Sequence, residues 1–114
     1  STTFTMPIGG FGNSTTTNLG NISPGRKIQS VSVSVNTAFS GHSGEILPNI
    51  EVGTISDPDA YHDDTDNDIT SVSTYITNPE YTYPASETQD QLIRARCNHY
   101  SASAGNVTVK LTYI

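Results

Sequence analysis

The segment DPDAYHDDTDND carries six aspartates between Asp57 and Asp68 and no basic residue. Asp64, Asp66 and Asp68 fall at alternate positions, the spacing at which D-x-D-x-D loops offer hard oxygen ligands to Ca²⁺. The EF-hand version of such a loop is not present. Ile69 stands at its sixth position, where a sharp turn needs glycine, and Tyr75 at its twelfth, where a bidentate glutamate belongs. A run of like charges otherwise stays solvated, keeps a surface soluble, or docks on a basic partner. That second reading is the expected one. No cofactor is expected, and Ca²⁺ at Asp64, Asp66 and Asp68 is the metal candidate.

The remaining chemistry-bearing residues are scattered. His42 and His62 fall in turn regions and His99 at a strand end, with no H-x-x-x-H or H-x-H spacing for zinc. They are expected as surface or strand-end residues. Cys97 is the single cysteine, so neither an intrachain disulfide nor a cysteine-based zinc site can form. Arg94 and Arg96 would lower its pKa if they shared its face. Strand parity instead places Cys97 with Ile93 and Ala95, as a buried structural thiol. Serine is abundant, but no G-x-S-x-G elbow occurs. Gly9-Gly10-Phe11-Gly12 has half the look of a phosphate loop. It lacks the flanking strand and helix and the Lys-Ser/Thr pair, and reads as a hinge. Catalysis is therefore not expected. Arg94 and Arg96 share a face, which suits either cross-strand carboxylates or an inter-subunit contact. Tyr75, Tyr81, Tyr83 and Tyr100 would stack on a sugar or pack at an interface, the second being expected. Three N-x-S/T sequons, at Asn13, Asn21 and Asn106, are read as chance in a chain this rich in Asn, Ser and Thr.

Composition names the elements that must position these groups. The chain has 114 residues, one domain's worth. Apolar residues make up only 33% and charged residues 14%, with Ser, Thr, Asn and Gly filling the balance. That is neither the Glu/Lys/Pro-rich profile of disorder nor a helix-forming one. Net charge is −6, nearly all of it in the acidic loop, so the basic footprint of a nucleic-acid binder is missing. No apolar run is long enough to span a membrane, and no signal peptide is visible. The chain reads as one made without secretion.

Alternation of period two marks the strands. In Lys27–Phe39, Val31, Val33, Val35, Thr37 and Phe39 form one face and the serines the other. Ile46–Ile55 alternates again, with Pro48 implying a late start or an edge position. Ile69–Thr77, Gln91–Tyr100 and the run from Val107 follow, with Thr15–Ile22 before them and a short strand near Tyr81–Tyr83. The fold class is all-β: an antiparallel, jelly-roll-like β-sandwich over residues 15–114. Residues 1–14 read as an extended N-terminal arm or an edge strand.

Several stretches, "NLGNISPGRKIQSVSVSVNTAF", "IEVGTISDPDAY", "DIT…Y" and "SAGNVTVKLTYI", carry a further likeness. In these, over Asn18 to Ile114, the chain resembles small β-domains of tailed-bacteriophage structural gene clusters, found as capsid decoration proteins and at the ends of head or tail fibres. The six-Asp loop departs from that pattern. The resemblance implies a virion component, assembled in the host cytoplasm, that binds major capsid or other virion proteins, with no nucleic-acid or membrane partner. It implies a homo-oligomer, with a trimer preferred. Phe4, Met6 and Phe11 of the arm, with Arg94 and Arg96, are then the interface candidates. The alternative it leaves is a receptor-binding domain at a fibre tip that recognises a host glycan or protein.

Overall fold

The computed structural model describes residues 14–114 and, as backbone, residues 2–9. The strands are β1 (Thr2–Gly9), β2 (Ser14–Ile22), β3 (Lys27–Ser40), β4 (Asn49–Gly53), β5 (Thr74–Thr77), β6 (Tyr81–Thr82), β7 (Gln91–Asn98) and β8 (Ala104–Tyr113). Among the described residues there is no α-helix, only a 3-10 turn at Asp64–Asp66. One antiparallel sheet runs β1-β8-β3-β5, with β6 also on β3, and the other runs β2-β7-β4. The two sheets form a β-sandwich.

The core follows the alternation. Val31, Val33 and Val35 of β3 and Val107, Val109 and Leu111 of β8 meet Ile93, Ala95 and Cys97 of β7 and Ile50 and Val52 of β4, all buried. These are mostly β-branched side chains, which pack well on a pleated surface. With no tryptophan available, Phe39, Tyr61, Ile69 and Ala102 complete the cluster.

Strand β3 departs from strict period two in an instructive way. Its register against β8 shifts between Ile28 and Ser30, between Val35 and Thr37, and again before Ser40. Each shift adds a residue to β3 and flips the parity that follows it. The first lets Ile28 and Val31 both point inward although they differ in parity. The second turns Thr37, expected on the apolar face, out to solvent, and the third brings Phe39 back in.

Two expectations are narrowed and one is changed. The early residues were expected as an arm or an edge strand. Thr2–Gly9 is an edge strand, paired with β8 over its whole length. Phe4 and Met6 hold the register positions opposite Leu111 and Val109. Phe11 lies outside the described residues. The one that changes is the strand expected over Ile69–Thr77, which is formed only over Thr74–Thr77. Asp68 Oδ1 accepts Thr70 N at 3.0 Å and bends the chain. The Ile69 and Ser73 carbonyls then accept Phe39 N and Val35 N, each at 2.8 Å, which carries the chain along β3 beyond the β5 ladder. Ile69 itself is buried as a core plug. The late start or edge position that Pro48 implies for the strand from Ile46 is met on both counts: it begins at Asn49, directly after Pro48, and lies at the edge of its sheet. Ile46 is 63% exposed.

Candidate assembly interface

The outer face of the three-stranded sheet is built on β7. Inward-facing Ile93, Ala95 and Cys97 leave Arg94, Arg96 and Asn98 on the opposite face. The flanking strands decide what each arginine meets. Arg96 lies between Thr16 of β2 and Glu51 of β4, and Arg94 between Asn18 and Gly53.

This register separates two residues that the sequence makes look alike. Arg96 donates to Glu51 Oε1 from Nη2 at 2.9 Å and from Nε at 3.3 Å. The same oxygen accepts Asn98 Nδ2 at 2.8 Å, and Asn98 Nδ2 also reaches Asn49 Oδ1 at 2.7 Å. Glu51 is thereby consumed, with its side chain 12% exposed. Arg94 faces a glycine across the ladder and has no cross-strand carboxylate. Its side chain enters a small cleft lined by Thr16, Thr54, Ile55, Pro58 and Arg96. Its Nε is buried there without a hydrogen-bond partner. A guanidinium N–H out of water and unpaired is costly. The cleft also carries two guanidinium groups, Arg94 and Arg96, on its lining, which gives it a cationic character suited to an acceptor such as a carboxylate.

The acidic loop is organised by its uncharged members. Asn67 Oδ1 accepts Ile50 N at 3.1 Å, and its Nδ2 donates to Ile50 O at 2.8 Å, so one side chain extends the free edge of β4. Asp66 Oδ2 accepts Asp63 N at 2.9 Å. Asp68 is turned toward Thr70. Asp64, Asp66 and Asp68 are therefore not brought together, and among the described residues no group of three His, Cys, Asp or Glu side chains is arranged to hold a metal ion. The carboxyl groups instead pair with each other. A hydrogen bond shared with Asp63 shifts the Asp64 carboxyl upward and that of Asp63 downward, while the one shared with Asp57 shifts Asp59 upward.

His99 stands at a strand end as expected, directly after β7, while His62 corrects the expectation of a surface position. His62 and His99 are both fully buried. His99 Nε2 lies 2.8 Å from Thr15 Oγ1, and its ring packs 5.9 Å from that of Phe39. The signal for His99 was present, because it continues the inward parity of Ile93, Ala95 and Cys97. His62 had no such signal, since the loop pairs its backbone with Val52 outside any strand. His42 is half-buried. The four tyrosines expected as one surface are dispersed. Tyr75 and Tyr83 pack on the core and donate their hydroxyls to Asp68 O and Gln89 O, each at 2.9 Å. Tyr81 stays exposed, and Tyr100 lies in the β7–β8 turn.

A chain in the cyanophage Pam1 capsid asymmetric unit superposes with a TM-score of 0.67 at 15% sequence identity, over 97% of this chain and 80% of that one. At that identity the likeness establishes a shared β-sandwich fold. No family model and no curated protein matches the sequence.

Proposed function

We propose that this chain is a structural protein of a tailed-bacteriophage virion, a capsid decoration subunit that binds other virion proteins as a homotrimer. The observation that carries this reading is the recurrence of its fold, across nearly the whole chain, in a chain of a phage capsid asymmetric unit. Two features of the molecule support it. The outer face of the β2-β7-β4 sheet is polar and regular, and the cleft lined by Arg94 and Arg96 offers cationic side chains to an acceptor from a neighbouring subunit. The edges β1, β2 and β5 offer main-chain groups for strand-to-strand contact, whereas that of β4 is already covered by Asn67 and His62. The location that follows is the virion surface.

Incubating the purified protein with phage heads that lack decoration, followed by sedimentation, tests the proposal. Saturable co-sedimentation at a fixed, high copy number is expected. Failure to bind heads from any host-matched phage would overturn it. Light scattering on the free protein should give the mass of a trimer.

A further inference from the structure

A second concavity lies away from the arginines, between the loop after β4 and the segment carrying β6. It is an open groove of about 460 Å³ lined by Thr54, Asp57, Tyr61, Pro79, Tyr81 and Gln91 among others. That volume is within the range of roughly 300–1,000 Å³ typical of small-ligand sites. We propose that this groove binds a neutral pyranose, stacked against Tyr81 and hydrogen-bonded by Asp57 and Gln91.

The aromatic wall is fixed from behind. Tyr61 N donates to Val52 O at 2.9 Å, which pins Tyr61 to β4, and its ring is only 9% exposed. Tyr81 leans on that ring, with centroids 5.9 Å apart and planes tilted by 32°, and remains 42% exposed. A half-open tyrosine braced by a buried one offers a rigid apolar patch for the C–H face of a sugar at small entropic cost. The polar wall is equally held. Asp57 N donates to Thr54 Oγ1 at 3.1 Å, and Asp57 O accepts Thr54 N at 2.9 Å and Ala60 N at 3.2 Å. The turn presents the exposed Asp57 carboxylate as an acceptor for sugar hydroxyls, and Gln91 adds an amide with both donor and acceptor.

Charge selects the class of sugar. The described groove lining contains no cationic side chain, and the adjoining loop carries the six aspartates. Sialic acids and phosphorylated sugars would be repelled, while neutral rings bring matched hydroxyls and no charge. On a particle carrying many copies, weak single sites would add through avidity.

The experiment is amide chemical-shift mapping of the intact protein with glucose, galactose, mannose and N-acetylglucosamine, their linear tetramers, and sialic acid. At least one neutral sugar should shift residues of the 54–61, 79–82 and 91 regions with a Kd of about 1 mM or weaker, the range of shallow sites. Tighter binding of the tetramer would mark a polymeric glycan as the source, and equal binding a free sugar. Tyr81→Ala and Asp57→Asn should each weaken binding about tenfold, and the unchanged remainder of the spectrum reports an intact fold. No shifts with any neutral sugar at about 100 mM, shifts outside the groove, or unaltered binding by both variants would overturn the proposal.

Discussion

His62 Nδ1 lies 3.0 Å from Thr77 Oγ1, and Thr77 has already committed its hydroxyl proton to Tyr61 O at 2.9 Å. Thr77 can therefore only accept, and His62 must donate from Nδ1. The neutral ring then carries its lone pair on Nε2, which is buried without a partner. One tautomer is fixed by one threonine, and the cost of that arrangement depends on pH.

Burial holds the His62 pKa below its ordinary 6.5, partly offset by Asp66 and Asp63. As pH falls past about 6.5, the unfolded chain takes up a proton that the folded chain refuses. Stability is therefore full above that pH and declines toward the depressed folded value, by about 1.4 kcal/mol for each unit of depression. Melting curves between pH 8 and pH 5 should show this loss. His62→Asn keeps an N–H donor but does not titrate, and its profile should be flatter over that window. Parallel profiles for the two proteins would refute the assignment.

The thiol of Cys97 gives a second expectation. Burial pushes it up to about 12, so almost no thiolate exists at neutral pH. Native protein should resist a thiol-specific disulfide reagent at pH 8, and labelling should track global unfolding in urea. Fast stoichiometric labelling of the native state would show that β7 opens locally at far lower cost than its core position implies.

Both residues bear on what the sequence discloses. Cys97 was legible because β7 is short, central and strictly alternating, and the same parity would have buried His99. The faces of Arg94 and Arg96 were legible for that reason too. Their different partners were not, because a partner is set by register with β4, and Gly53 opposite one and Glu51 opposite the other is a long-range fact. Thr37 was misplaced because bulges leave no mark in a run of Val, Ser and Thr. Ile69 looked like a strand residue because a core plug and a strand start share the same β-branched side chain. The pyranose groove was half visible: Tyr81 was singled out, but Tyr61, inside the acidic loop, becomes its brace only when that loop folds back on Val52.

The N-terminal strand carries a third expectation. Pairing along the whole of Thr2–Gly9 makes β1 part of the sheet and shields β8 from being an edge. Deleting residues 1–9 should lower the melting temperature substantially and promote association through the bared β8, seen as concentration-dependent scattering. A detachable arm would behave differently, leaving the melting temperature unchanged and the protein monodisperse.

The split between the two arginines gives the most discriminating test, because only the paired guanidinium should cost stability when it is removed. Arg96→Met removes the partner of a nearly buried Glu51 carboxylate, leaving it to Asn98 alone. Since Arg96 is 40% exposed, screening limits the loss to about 1 kcal/mol. Arg94→Met keeps the aliphatic stem in the cleft and deletes an Nε that has no acceptor, so stability should hold or rise. If the cleft receives an acceptor from another virion subunit, Arg94→Met should reduce head binding at least tenfold while folding normally. Arg96→Met should retain binding in proportion to its folded fraction. Chemical denaturation with sedimentation on the same preparations separates the two effects, and loss of stability in Arg94→Met with full head binding would assign Arg94 to the fold and not to the interface.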